Sequence, residues 1–462
     1  MHWNLLILAT ICLSGCILGP SYERPRTEIP ETFRFQDTGA SEERAPADTR
    51  WWAGFEDPVL LDLVSEALEH NQDILVAAAN VEGAAAVLTQ TRSSLYPQIG
   101  YSGSGQRQRA SEENATPLSP SVKNPQNALQ VLSTVSWELD LWGKIRRLSE
   151  AARAEVEAAQ AIQRGAVLSV VSAVATQYIQ LLGLDMQRAI ARQTLAVYAE
   201  SVRLFELQLQ YGRVSRMTVE QARTQYETAA GIIPQLEAEI ARTEHALSIL
   251  LGRNPGPIPR SRTLDDLSIP PVPAGIPSDV LAGRPDIQEA EQKLIAANAR
   301  IGAARALYFP SISLTAGLGL ASEDLSRLFT GSARVWNYKG SITGPIFSAG
   351  DIEAQVAQAE AERKASLLTY QSVIRQAFAD VEDALVSRTK ILELVQAQQR
   401  LVTAGREYER LARLQYEGGY APYLTVLNAQ QQLFPAELDY VSYRTSALVT
   451  LTTLYKALGG GW

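Results

Sequence analysis

The chain has 462 residues, 46% hydrophobic and 20% charged, with a formal net charge of −8 and a pI near 5.3. An acidic balance of this kind excludes nucleic-acid binding through a basic face. Both cysteines, Cys12 and Cys16, fall at the extreme N-terminus, which excludes a disulfide framework or a thiolate metal site in the rest of the chain.

In chain order, the first expected element is a leader. Leu5 to Leu13 is an apolar run too short to span a bilayer, and it closes with Leu13-Ser14-Gly15-Cys16. Small residues before a cysteine read as a lipoprotein cleavage site. Residues 1–15 are therefore expected to be a signal peptide, and Cys16 the new N-terminus, carrying an N-acyl chain and an S-diacylglycerol. The alternative is an ordinary signal peptide that happens to contain a cysteine, and Met1-His2-Trp3-Asn4 lacks the usual Lys or Arg. Ile17 stands where an Asp would retain a lipoprotein at the inner membrane, so the outer membrane is the expected destination. Residues 16–59 form an N-terminal periplasmic segment on this reading. No window reaches eighteen consecutive apolar residues, so no transmembrane helix is expected. His70 and His245 are isolated on helical stretches and read as surface histidines, not metal ligands.

Beyond the leader the chain repeats itself. Asp73-Ile74, Ala84-Ala85-Ala86 and Tyr96-Pro97 lie over Asp286-Ile287, Ala297-Asn298-Ala299 and Phe309-Pro310 at an offset of about 213 residues. Trp142-Gly143, Thr218-Val219 and Leu251-Gly252 match Ala349-Gly350, Thr425-Val426 and Leu458-Gly459 at an offset of about 207. Two tandem copies follow, 60–252 and 278–462, separated by a proline-rich linker over 253–277.

Each copy opens with a short helix, at about 60–95 or 278–308, and then shows two runs of strict alternation. Leu129, Val131, Val135 and Trp137 oppose Gln130, Thr134, Ser136 and Glu138. Ile312, Leu314, Ala316, Leu318 and Leu320 oppose Ser311, Ser313 and Thr315, and Trp336, Tyr338, Ile342 and Ile346 oppose Asn337, Lys339, Ser341 and Thr343. With a weaker run at about 97–107, these predict strands at about 97–107, 128–138, 310–320 and 335–346. Strands of about ten residues with one apolar and one polar face suit a tilted transmembrane β-strand. A soluble sandwich of two hairpins is the alternative.

A long helix follows each strand pair, about 144–211 and 351–416, roughly 100 Å at 1.5 Å per residue. Glycine-containing turns lead into return helices at about 217–251 and 424–458. The short and return helices together match the long helix in length, which predicts that they stack end to end beside it. Four membrane strands cannot close, and open edges are not tolerated in hydrocarbon, so several chains must share one barrel.

The leader cysteine, the strand–long helix repeats, Trp137-Glu138-Leu139-Asp140-Leu141-Trp142-Gly143, Tyr423-Leu424-Thr425-Val426-Leu427-Asn428-Ala429-Gln430 and the terminal Leu454-Tyr455-Lys456-Ala457-Leu458-Gly459-Gly460-Gly461-Trp462 together resemble the TolC-type outer-membrane efflux proteins. The likeness is to their NodT/OprM-like lipoprotein branch and covers essentially the whole mature chain. It implies a mixed α and β fold: an outer-membrane β-barrel, four strands per chain and twelve in a homotrimer, continuous with a long periplasmic α-helical barrel. It implies a periplasmic adaptor and an inner-membrane resistance-nodulation-division transporter as partners, with no cofactor. It also implies an iris-like gate near Gln415, Tyr416, Leu424 and Asn428, with Thr218, Glu220 and Arg223 as neighbours. Many relatives carry Asp where Asn428 and Thr218 stand, so a cation-selective carboxylate ring is not expected here. The turns at Gly212, Arg213, Arg216, Gly418 and Gly419 are the implied adaptor contacts.

Rival functions are an enzyme on a helical scaffold, a structural envelope lipoprotein, or a duct for protein secretion or metal export. For the first, the chain offers no phosphate loop, nucleophile elbow or ligand set, and Gly100, Gly103 and Gly105 are not followed by the helix of a dinucleotide fingerprint.

Overall fold

The computed structural model describes residues 17–26, 30, 32–35, 50–111, 113, 123–268 and 283–460. The proposed lipidation site Cys16 and the linker residues Pro270, Pro271, Pro273 and Pro277 lie outside them. The elements in chain order are α1 (Pro58–His70), α2 (Gln72–Ser93), β1 (Gln98–Gln108), β2 (Gln126–Leu139), α3 (Lys144–Gln210) and α4 (Arg216–Leu250). The second half supplies α5 (Pro285–Arg305), β3 (Ser311–Ser322), β4 (Arg334–Thr343), α6 (Asp351–Glu417) and α7 (Tyr423–Ala457). Both long helices have 67 residues and both return helices 35. Left-handed glycines recur in pairs about 207 residues apart, Gly143 with Gly350, Gly212 with Gly419 and Gly252 with Gly459. The duplication therefore reaches the backbone conformation of each turn.

The chain divides into two compact units. The first comprises residues up to Arg26 with Val81–Ala159 and Ala290–Tyr370. It holds one antiparallel four-stranded sheet in the order β1-β2-β3-β4. The two hairpins join edge to edge through β2 and β3, from Leu129 opposite Ser322 to Leu139 opposite Ile312, and are not stacked face to face. A soluble sandwich is therefore ruled out. β4 stops at Thr343, three residues before the expected end, because Gly344-Pro345 follows and proline has no ladder donor. Ile346 is consequently outside the strand.

The N-terminal segment is strapped onto this unit. Leu18 N–H donates to the Trp142 carbonyl at 3.3 Å, and Arg147 donates to the carbonyls of Leu18 at 2.8 Å and Gly19 at 3.1 Å. Asn298 donates to the Pro20 carbonyl at 3.0 Å, and Arg24 grips both carboxylate oxygens of buried Glu291, which also accepts from the Tyr22 hydroxyl. Gly19 and Gly302 make the crossing possible, since a Cβ on either would overlap the other strand of chain.

The second unit comprises Thr27–Asn80, Gln160–Glu289 and Gln371–Trp462. Its main core gathers Phe55, Leu60, Val64, Val171, Val174, Tyr178, Ile179, Leu181, Leu247 and Leu251 with the ring of Trp51 stacked on Tyr455 at 5.1 Å. The expected linker is less of a linker than its prolines suggest. Ile258, Leu264 and Leu267 are buried in this core, and Arg260 bridges Asp185 and Glu244.

The expected single helix over 60–95 is two helices, broken at Asn71. Its backbone is extended (ψ 127°), and its carboxamide oxygen accepts from Asp73 N–H at 2.9 Å and Ile74 N–H at 3.2 Å. This is an N-cap, which favours starting a new helix over continuing the old one. The same side chain donates to the Leu250 carbonyl at 2.8 Å, so the end of α4 is fastened to the start of α2. In the second repeat Arg284 takes this role, donating to the Ala457 carbonyl at 3.0 Å beside the start of α5. Return and short helices thus meet end to end in both copies. Against expectation, two helical stretches, Pro58–Ser93 and one within α3, are long and apolar enough to cross a bilayer. In α3 61% of that window is buried within the protein, and the other stretch is the one interrupted at Asn71.

Candidate functional site

Two places carry the residues singled out above: the sheet of the first unit and the helix-turn ends of the second. In the sheet, pairing fixes which side chains share a face. Gln98, Ser102, Ser104 and Gln106 of β1 align with Gln130, Thr134 and Ser136 of β2, Ser311, Ser313 and Thr315 of β3, and Asn337, Lys339, Ser341 and Thr343 of β4. The opposite face carries Ile99, Tyr101, Leu129, Val131, Val135, Trp137, Ile312, Leu314, Leu318, Trp336, Tyr338 and Ile342. Among the described residues nothing covers Tyr101 and Trp336 on that apolar face, which are 90% and 71% exposed. Trp336 and Tyr338 stack at 5.8 Å on it. A sheet with a bare apolar face, aromatics on it and unpaired edges at β1 and β4 is suited to hydrocarbon on one side and water on the other.

Aromatic residues also mark the ends of the strands nearest the helices. Trp137 donates its indole N–H to the Leu95 carbonyl at 2.9 Å, and Trp142 to the Pro310 carbonyl at 2.8 Å while stacking on Phe309 at 4.7 Å. At the junction into α3, Asp140 accepts from the backbone N–H groups of Ile145 and Arg146, both at 2.9 Å, and so terminates the strand and starts the helix.

The other place is the pair of turns joining α3 to α4 and α6 to α7. Gly212 and Gly419, both with positive φ, reverse the chain. Arg213 N–H donates to the Gln208 carbonyl and Tyr420 N–H to that of Gln415, each at 2.9 Å, closing the same kind of turn twice. Ser215 caps α4 by accepting from Thr218 N–H at 3.3 Å, whereas Pro422 starts α7 without a side-chain cap. The turn residues Gly212, Arg213, Arg216, Gly418 and Gly419 are all exposed.

Behind the turns lies a small apolar cluster of Phe205, Val219, Ala222, Ala412, Tyr423, Val426, Leu427 and Ala429. Tyr416 is half-buried against it, with its ring 6.3 Å from Phe205 and 5.5 Å from Tyr423. Burial pushes the Tyr423 hydroxyl above its ordinary range. Leu424 does the opposite of its neighbours: it is 49% exposed while Tyr423, Val426 and Leu427 are buried. Asn428, one turn further along the same side of α7, and Gln415 are exposed too. Arg223 donates to Glu206 at 2.6 Å and lies 3.5 Å from Glu220, and the Glu206 hydrogen bond holds it above the ordinary guanidinium range. Thr218 is half-buried at the α4 cap. The structure therefore separates the implied gate residues into three sets: Gln415, Leu424 and Asn428, which are exposed; Glu220 and Arg223, also exposed but ion-paired with each other; and Tyr416 and Thr218, which are half-buried.

Sequence reasoning passed over Phe205 and Tyr423, which hold the turns together; aromatics spaced along long helices gave no sign of meeting. It also passed over exposed Tyr211, Met217 and Tyr420 beside the turns. Their apolar character next to αL glycines was a readable signal. His70 and His245 are both exposed on helices, and among the described residues no cluster of His, Cys, Asp and Glu could hold a metal ion.

Known proteins share this arrangement. The sequence profile of the family described as outer membrane efflux protein matches residues 63–253 and 276–460. A probable efflux pump outer membrane protein of Pseudomonas putida, TtgC, is 36% identical over 469 residues, spanning 100% of this chain and 96% of its own. The cation efflux system protein CusC of Escherichia coli is 37% identical over 460 residues, spanning 98% and 97%. Among solved structures, the outer-membrane channel OprN superposes with a TM-score of 0.89 at 28% identity, over 97% of this chain and 100% of that one. The open-state MtrE outer membrane channel of Neisseria gonorrhoeae superposes with a TM-score of 0.87 at 33% identity, over 96% and 98%. The bare-faced sheet, the paired long helices and these likenesses over the full chain lead to one conclusion: the chain belongs to the outer membrane efflux protein family, and its fold is that of the outer-membrane channels.

Proposed function

We propose that three copies of this chain close one twelve-stranded barrel and form the exit duct of a tripartite efflux pump, passing small toxic compounds outward without altering them. The observation that carries the reading is the sheet itself: a polar face, an apolar face and two unpaired edges in one four-stranded piece. An open edge in hydrocarbon leaves backbone groups unsatisfied at several kcal/mol each, so β4 of one copy must meet β1 of the next. A periplasmic adaptor would dock on the exposed turns at Gly212, Arg213, Arg216, Gly418 and Gly419, and an inner-membrane resistance-nodulation-division transporter would supply the energy. Leu424 and Asn428, supported by Gln415, would form the closure of the duct, with Tyr416, Thr218, Glu220 and Arg223 bracing it from behind. Cys16 would carry the lipid; the strapping of residues 18–24 to the strand–helix junction supports an anchor at that end of the chain.

Relatives named for toluene, solvent, antibiotic and cation efflux support both organic toxicants and metal cations as cargo classes. Mass measurement in detergent tests the assembly: a trimer is expected, and a monomer would refute the reading. Deleting the gene in its host and challenging with organic toxicants and metal salts then separates the cargo classes. Unchanged sensitivity to every class would argue instead for a structural envelope lipoprotein or a protein-secretion duct.

A further inference from the structure

The polar face of the sheet is almost without charge. Across the positions that pairing places on it, the side chains are Gln, Ser, Thr, Asn and Gly with a few small or aliphatic residues, and only two are ionised, Glu138 and Lys339. Glu138 sits at the end of β2, where Lys144 holds its carboxylate at 2.8 Å. Lys339 lies near the middle of β4, in a row across the sheet with Thr315, Ser136 and Gln98. Its side chain is exposed, and it makes no ion pair with any described residue. The nearest charge of opposite sign on the face is Glu138, one same-face row away in register and already paired with Lys144. Glu323 and Asp324 follow the end of β3, and the cationic Arg107 and Arg334 sit at strand ends on the apolar face.

We infer that Lys339 is an ion-selectivity determinant: three copies of it ring the water-filled inside of the β section and favour anionic over cationic passage. The step rests on the proposed trimer, in which the polar face turns inward because the apolar face cannot face water. The Lys339 ammonium is exposed on this wall and has no carboxylate partner among the described residues, so its charge faces the lumen. Rings of Lys or Arg attract anions and repel cations in pores, and low-dielectric walls concentrate the field of fixed charges within a narrow lumen. Glu138 is the one anionic side chain on this face among the described residues, and its charge is matched by Lys144, which leaves Lys339 as the unpaired one. Gln415, Leu424 and Asn428 carry no charge, and Glu220 and Arg223 pair with each other. Neutral and anionic cargo would pass the strand section readily; compact cations would be impeded there.

The test is the reversal potential of purified trimers in planar bilayers under a KCl gradient, with the dilute side near 0.01 M, where the Debye length is about 30 Å. Lys339→Gln is expected to raise the K⁺ to Cl⁻ permeability ratio on the order of several-fold, and Lys339→Glu to raise it further. In Lys339→Cys the ratio is expected to rise likewise, then to fall back when a cationic thiol reagent restores the positive charge. That arm compares one folded preparation with itself. Conducting trimers whose ratio is the same in all these states would overturn the inference while leaving the channel intact. Protein that forms no trimer, or trimers that stay non-conducting even when Leu424→Ser opens the closure, would overturn the channel reading and the inference together.

Discussion

Glu291 shows how much single side chains do in holding the chain's start. Its carboxylate is buried, receives Arg24 in a two-oxygen grip and accepts from Tyr22, whose hydroxyl burial and Glu291 push well above the ordinary phenol range. Arg24 itself is two-thirds exposed, so screening limits what the pair contributes, but removing it strands a buried carboxylate. Arg24→Ala is expected to destabilise the protein by about 1–3 kcal/mol, read as an earlier thermal midpoint. Arg24→Lys should recover only part, since a lysine cannot make the two-oxygen contact. Equal midpoints for all three proteins would show that the strap contributes nothing. A second buried group gives a pH dependence. Tyr178 donates to Asp57 at 3.0 Å, and burial, with Asp57 beside it, pushes the phenol up to about 12. A folded pKa above the unfolded value near 10 means that the contribution is complete below pH 10 and is lost as pH climbs toward 12. Stability measured by chemical denaturation should therefore decline between pH 10 and 12. The decline should be shallower in Tyr178→Phe, and an identical slope in the two proteins would contradict the assignment.

At the scale of elements, the joints between helices matter more than the helices. Asn71 makes three hydrogen bonds that no single neighbour could supply: two cap α2 and one holds the end of α4. Asn71→Ala removes all three and should cost about 1–3 kcal/mol. Asn71→Asp keeps the cap, loses the donor to the Leu250 carbonyl and sets a negative charge against it. Thermal midpoints in the order wild type, Asp, Ala are expected; an alanine protein as stable as wild type would mean that packing alone aligns the helices. These joints also mark the boundary of what the sequence could say. Strict alternation gave the strands and their two faces, and proline-free runs gave the long helices, because both are local periodicities. Asn71 was invisible as a break because Gln72-Asp73-Ile74-Leu75 continues the helical pattern, and only the carbonyl of distant Leu250 reveals why the chain stops there. Likewise the engagement of Tyr416 depended on the Phe205–Tyr423 cluster, a contact between residues more than two hundred apart in sequence.

At the scale of the whole molecule, function in the proposed trimer depends on what the exposed residues of three chains do to one another. Leu424 is the informative case, because it leaves half of its surface exposed while its neighbours Tyr423 and Val426 are buried in the cluster behind the turns. In the proposed trimer three such leucines approach one axis, and an apolar constriction blocks ions by dewetting without needing charge. Leu424→Ser should wet that constriction and raise single-channel conductance, with little change in trimer stability because no buried contact is lost. Tyr416 provides the contrast, since its ring is already committed to Phe205 and Tyr423. Tyr416→Phe keeps that ring in place and should leave conductance near the wild-type value, whereas Tyr416→Ala should loosen the cluster and lower the melting point together with any leak it opens. Equal conductance for Leu424→Ser and wild type would remove Leu424 from the closure. A conductance increase confined to Tyr416 variants would place the closure on the braced residues behind the turns.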